Sequence, residues 1–191
     1  MEKYISKKEK ASYGFAAVGS YMVAGITQSY LMYFFTDILI IPSAFVMMLM
    51  IVARVWDALN DPMMGVIVDR TSTKYGKMRP YVLIGSFLML VTTIVLFMPL
   101  TGAPTMFKMI FAAVSYIIFG MAYTLTDVPA MGLMSVATPS SDERASLLSF
   151  YVTVGSVGSL LPVGLLTIFQ SFIPEKYVYF AMSIFVGIIT S

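Results

Sequence analysis

Apolar runs separated by short polar breaks make up almost the whole chain. They extend from about Ala11 to Phe35, Ser43 to Val68, Pro80 to Leu100, Pro104 to Val136 and Ser146 to Phe172, and from Tyr177 to the last residue, Ser191. A helix that crosses a bilayer needs about 20 mostly apolar residues. The pattern therefore predicts an all-α, polytopic membrane protein with six transmembrane helices. The breaks carry turn chemistry: Ile41-Pro42-Ser43, Thr101-Gly102-Ala103-Pro104, Pro139-Ser140-Ser141-Asp142 and Ile173-Pro174-Glu175. At the third break, Ser141 or Asp142 is the expected N-cap of the next helix. The sixth run falls short of the roughly 17-residue minimum and has no polar stop. Its sixth helix is therefore expected to be truncated, leaving residues 1–191 as an incomplete six-helix transporter half.

Composition agrees with a membrane setting. Apolar residues are 59% of the chain and charged residues 12%, against about 25% charged in a soluble domain. There is no cysteine and no histidine. Disulfides and thiolate metal sites are excluded, and proton chemistry falls to carboxylates and tyrosines. The first run is too long for a cleavable signal and lacks a small-residue cleavage site. Basic residues alternate between the two sides. Lys3, Lys7, Lys8 and Lys10 precede the first run, Arg70, Lys74, Lys77 and Arg79 follow the second, and Arg144 follows the fourth. The opposite loops hold only Lys108 and Lys176. Positive charge favours the cytoplasmic side, so a multi-pass protein of a cell inner membrane with a cytoplasmic N-terminus is expected.

The stretch Ala53-Arg54-Val55-Trp56-Asp57-Ala58-Leu59-Asn60-Asp61-Pro62 interrupts the second run with charge. On a helix, Arg54, Asp57 and Asp61 stand at i, i+3 and i+7 and share one face, with Asn60 beside them. The fourth run holds Tyr123, Thr124 and Asp127. Each charge at membrane depth costs on the order of 2.5–3.5 kcal/mol on insertion scales. Three carboxylates against one guanidinium leave −2, to be met by protons, a cation or water. Carboxylates, an amide and a hydroxyl suit a hard cation such as Na⁺. If the second and fourth helices meet, Asp57, Asn60, Asp61 and Thr124 supply that set. Pro62 is expected to loosen the backbone there. Two plainer accounts compete: a structural ion-pair network around Arg54, and Asp61-Pro62 sitting at a membrane interface. The stretch from Gly65 to Pro80, with Asp69, Arg70, Gly76, Lys77 and Arg79, reads either as a positive-inside loop touching anionic lipid or as a structured gate in which the glycines permit a tight return.

The segment ARVWDALNDPMMGVIVDRTSTKYGKMRPYVLIG resembles the glycoside–pentoside–hexuronide:cation symporters of the major facilitator superfamily. The flanking segments YGFAAVGSYMVAG, QSYLMYFFTD and AYTLTDVPAMGL fit as well, so the resemblance covers nearly the whole chain. It implies a twelve-helix fold in two six-helix halves, of which this chain would be the N-terminal one, lacking the C-terminal half as its partner. It places Asp57, Asn60, Asp61 and Thr124 on the family's cation site, for Na⁺ or H⁺. It makes Arg54, Gly65, Asp69, Arg70, Gly76, Lys77 and Arg79 a gating and charge network. On the sugar side Asp127 matches an acidic position and Tyr123 a site tyrosine. Tyr21 stands where galactoside carriers have an acid, Met131 where they have an aromatic, and Val152, approximately, where they have an arginine. An aromatic such as Tyr21 can still stack on a sugar face, so a sugar, glycoside or glucuronide-like solute is implied. No enzyme activity, cofactor or nucleic-acid partner is expected beyond the coupling cation. The competing functions are a half-size transporter acting as a homodimer, a non-transporting remnant, and an intramembrane aspartyl protease built on Asp57 and Asp127. The last lacks the Gly-x-Gly-Asp signature of that chemistry.

Overall fold

A computed structural model describes residues 5–190 as a bundle of six α-helices. Lys3 of the basic N-terminal segment and Ser191 lie outside the described residues. The helices are α1 Lys7–Tyr33, α2 Ser43–Arg70, α3 Arg79–Leu96, α4 Thr105–Val136, α5 Ser141–Gln170 and α6 Glu175–Thr190. No strand occurs among the described residues. Four helices, α2 to α5, are long and apolar enough to cross a membrane. The expectation of six such spans is met by four on this measure. α6 has 16 described residues, and the apolar stretch of α1 is diluted by Ser12, Gly14, Gly19, Ser20, Thr27 and Gln28.

The helix starts correct the sequence reading. Lys7, Lys8 and Lys10 belong to α1, not to a tail. That helix opens on a capping box: the Glu9 amide donates to Ser6 Oγ at 3.2 Å, and the Ser6 amide donates to Glu9 Oε2 at 2.8 Å. The bond from the Ser6 amide holds the Glu9 carboxyl below the usual carboxylate range. Arg144 and Lys176 likewise lie in the first turns of α5 and α6 rather than in loops. The N-cap of α5 is Ser140, one residue before the two expected, and its hydroxyl accepts from the Glu143 amide at 3.4 Å.

Gly65 is not part of a turn. It lies inside α2, with open space where a Cβ would stand. Only Gly76, at φ 94°, supplies the left-handed backbone that the 71–78 turn needs. Pro62 does not interrupt α2, which runs unbroken through it for 28 residues. Lys108 is no loop residue either. It sits in the first turn of α4, is 6% exposed, and donates to the Leu39 carbonyl at 2.9 Å. Leu39 follows a π-helical turn, Phe34–Ile38, at the end of α1, and its amide closes that turn by donating to the Phe34 carbonyl at 2.9 Å. The chain then turns through Ile40 at φ 56°, and the Ile41 amide donates back to the Phe35 carbonyl.

α1 packs on α5 and α6, α3 packs on α4 and α6, and α2 packs chiefly on α4. Small residues allow these close approaches, as expected where helices meet in lipid. A Cβ on Gly25 of α1 would collide with the backbone of Ser159 on α5. The larger core joins Met22, Ile26, Phe34, Leu96, Phe97, Tyr179 and Met182, with the Phe34 and Phe97 rings 5.2 Å apart. A smaller cluster of Ala17, Met134, Leu147 and Tyr151 lies nearer the N-terminal end of α1. Outside, apolar side chains such as Met48, Ile51, Val55, Phe87 and Leu160 are exposed. That inverted surface suits hydrocarbon, not water.

Candidate functional site

A cavity of about 620 Å³ opens between α1, α2 and α4. Its size suits a small molecule, since ligand cavities run about 300–1,000 Å³. Helical periodicity explains what lines it. On α2, Arg54, Asp57 and Asp61 come round to one face. On α4, Tyr116, Gly120, Tyr123, Thr124 and Asp127 do the same. α1 adds Thr27 and Gln28.

The two charged faces touch. Thr124, 4% exposed, donates its hydroxyl to Asp61 Oδ1 at 2.9 Å across the α2–α4 contact. One turn back, the bare Gly120 makes room for Asp57: a Cβ there would lie 3.0 Å from Asp57 Oδ1. Of the expected cation ligands, the structure thus brings Asp57, Asp61 and Thr124 together. Asn60 is half-buried and is not among the lining residues.

Among the described residues, Arg54 lines the cavity without a direct ion pair. Nor do three acidic side chains converge there tightly enough to hold a metal ion on their own. Any cation held here needs neutral oxygens, such as the Thr124 hydroxyl, besides the carboxylates.

The expected solute residues divide. Tyr123 and Asp127 line the cavity. Tyr21 and Met131 pack on the smaller core cluster instead. Tyr21 meets the ring of Tyr151 edge to face at 5.9 Å. Val152 is exposed on α5, which contributes nothing to the cavity wall.

Trp56, Gln28 and Tyr116 line the cavity and escaped the sequence reading. The indole Nε1 of Trp56 is buried without a hydrogen-bond partner. For Tyr116 a signal existed: it precedes Tyr123 by seven residues and so shares its face. Gln28 and Trp56 gave none, because a neutral amide or indole in a helix is common for reasons of packing.

At the proposed gate, α2 ends at Arg70 and α3 begins at Arg79. The Lys77 ammonium donates to the Asp69 backbone carbonyl at 3.1 Å and so ties the turn to the end of α2. Thr71 and Tyr81 hydroxyls meet at 2.6 Å across the same turn. Among the described residues no ion pair joins Asp69 to Arg70, Lys77 or Arg79.

Comparison with known proteins adds a lineage. Residues 12–191 match the family described as MFS/sugar transport protein. The chain is 37% identical over 161 residues to an uncharacterized symporter, YjmB, of Bacillus subtilis (strain 168), a match covering 83% of the chain and 35% of that protein. It is 34% identical over 161 residues to the inner membrane symporter YicJ of Escherichia coli (strain K12), covering 82% and 34%. A third relative, YagG of the same strain, carries the name of a candidate glycoside/cation symporter. It is 33% identical over 162 residues, covering 84% of the chain and 35% of that protein. The chain spans about a third of the length of these relatives.

Proposed function

The chain belongs to the MFS/sugar transport protein family, and from that premise we propose that it forms part of a cation-coupled symporter of a sugar or glycoside. All six helices span the membrane in this reading, with the N-terminus in the cytoplasm, and they act as one half of a twelve-helix carrier. The coupling cation, Na⁺ or H⁺, is held by Asp57, Asp61 and Thr124, with Asn60 turning in to complete the set. The solute sits deeper in the same cavity, its hydroxyls accepted by Asp127 and its ring against Tyr123, with Tyr21 behind.

The observation that carries this reading is the Thr124–Asp61 bond, next to Asp57, in the wall of a cavity of about 620 Å³. Two helices commit charge to a shared space at membrane depth, which is costly unless function requires it. The carboxylates and Arg54 leave a formal −2. A bound cation lowers that to −1 and makes the cavity a better host for a polar neutral solute. The solute in turn closes the cation off from water. Each ligand therefore stabilises the form the other prefers, which is the thermodynamic content of coupling. The name of YagG, a candidate glycoside/cation symporter, supports the same solute and coupling class.

The test is uptake of radiolabelled glycosides into vesicles bearing the full-length protein, under an imposed Na⁺ gradient and, separately, a pH gradient. One of the gradients should drive accumulation, and Asp57→Cys should abolish the drive while the protein still inserts. Accumulation indifferent to both gradients would overturn the proposal, as would an Asp57→Cys protein with normal coupling.

A further inference from the structure

A second cavity, of about 240 Å³, lies far from the charged one, between the first turns of α1 and α5. Ile5, Ser6, Lys7, Lys10, Ser146 and Leu147 line it, together with Glu143. Nothing in the transport reading uses it. From its chemistry we infer that it is a phosphate-binding site for the headgroup of an anionic phospholipid.

Three features point there. The first is charge. Among the described residues that line it, two lysines against one glutamate sum to +1. That matches the single charge of a lipid phosphodiester more closely than the two charges of a free phosphate monoester. The second is orientation of the donors. The Lys10 ammonium is fixed at the wall, donating to Ser146 Oγ at 3.2 Å and standing 5.0 Å from the centre of the Phe150 ring. An ammonium has three N–H donors, so donors remain for an oxyanion. The Glu143 carboxylate is engaged by the Thr138 hydroxyl at 2.8 Å. The third is position. Ile5 and Leu147 form an apolar side to the cavity, and further along α1 Phe15 is 81% exposed. A headgroup seated on Lys7 and Lys10 would leave its glycerol and acyl chains free to run into the bilayer beside α1. Basic recesses between membrane helices at the bilayer edge hold anionic headgroups in this way.

Lys8 provides an internal control, because it is exposed on the same helix turn but does not line the cavity. A general attraction of basic residues to anionic membranes would feel Lys8 as much as its neighbours. A built site would not. The experiment is native mass spectrometry of the full-length protein released from micelles containing phosphatidylglycerol and phosphatidylethanolamine in equal amounts. The intact protein should retain phosphatidylglycerol in preference. The double variant Lys7→Gln, Lys10→Gln should weaken that retention about 30-fold, and Lys8→Gln should leave it unchanged. Ser146→Ala, which keeps every charge, should weaken it by a smaller factor and serves if the double variant fails to fold. Equal loss in Lys8→Gln, no loss in the double variant or in Ser146→Ala, or equal retention of the two lipids would each overturn the inference. So would displacement of the lipid by millimolar inorganic phosphate, since that would make the site one for a soluble anion.

Discussion

At the scale of single residues, the Asp61–Thr124 bond is the most exposed to test. Thr124→Val keeps the shape and removes the hydroxyl, leaving the Asp61 carboxylate without its donor. A hydrogen bond to a charged group contributes about 1.5–3 kcal/mol. If the proposed symport holds, the concentration of coupling cation that half-activates uptake should therefore rise about tenfold or more, with the maximal rate less affected. An unchanged activation curve would remove Thr124 from the cation site. Ile40 offers a different case. Its φ of 56° puts a β-branched residue in the left-handed region, at a cost of order 1–3 kcal/mol. Ile40→Gly should therefore stabilise the protein by about 1 kcal/mol, read as a raised midpoint of thermal unfolding in detergent. A lowered midpoint would show that the Ile side chain, 72% exposed, holds a contact in the bilayer. Asp57, Asp61 and Asp127 were legible in the sequence because a charge inside an apolar run is costly whatever surrounds it. Trp56 and Gln28 were not, because an indole or an amide carries no such penalty. The left-handed turn at Ile40 was illegible too: Ile-Ile-Pro marks a break without saying which residue takes the strain.

At the scale of elements, the six runs correspond one for one to six helices, while several of their ends do not. α5 begins at Ser141 rather than Ser146, and α1 at Lys7 rather than Ala11. In both places the first turn is polar, Ser-Asp-Glu-Arg and Lys-Lys-Glu-Lys. Hydropathy reads such turns as loop, although acidic residues and a serine cap are favourable at a helix start. Apart from the α2–α4 meeting that the polar positions suggested, which helix packs on which could not be read, since between apolar helices in lipid the choice is made by close fit rather than by hydrophobicity. Gly25 is one such fit, and it can be tested. Gly25→Ala puts a Cβ into the Ser159 backbone and should cost about 1–3 kcal/mol as α1 and α5 part. Gly65→Ala, with nothing within 4 Å of the new Cβ, should be neutral or stabilising by up to about 1 kcal/mol. Similar thermal stability for both variants would mean that the α1–α5 seam yields more easily than its geometry implies.

At the scale of the molecule, the exposed apolar surface and the family assign a multi-pass membrane protein, and the distribution of Lys and Arg proposes its direction. The chain has no cysteine, so single cysteines can report sidedness directly. Thr73→Cys, in the turn between α2 and α3, should react with a membrane-impermeant maleimide only from the cytoplasmic face. Gly102→Cys, between α3 and α4, should react only from the other. Reversed labelling in right-side-out and inverted vesicles would invert the proposed orientation. The α1–α2–α4 cavity was half visible in advance. Its α2 and α4 walls follow from charges at helical spacing, whereas the α1 wall depends on how three helices converge, which no single run encodes.

One feature of that cavity has an optical consequence. Trp56 is the chain's single tryptophan, and it stands in the cavity wall with its indole N–H unpaired. The ultraviolet emission of residues 1–191 is therefore dominated by one fluorophore beside Asp57. Water, cation or solute arriving there changes the polarity that the excited indole senses, with no label attached. Titrating Na⁺ and then a glycoside should shift the emission maximum in two saturable steps, and Asp57→Cys should erase the first. A spectrum indifferent to both ligands, at concentrations where calorimetry registers binding, would place them away from the indole. Under the proposed function the indole is thus a built-in reporter of the order in which cation and solute arrive, read by stopped-flow mixing.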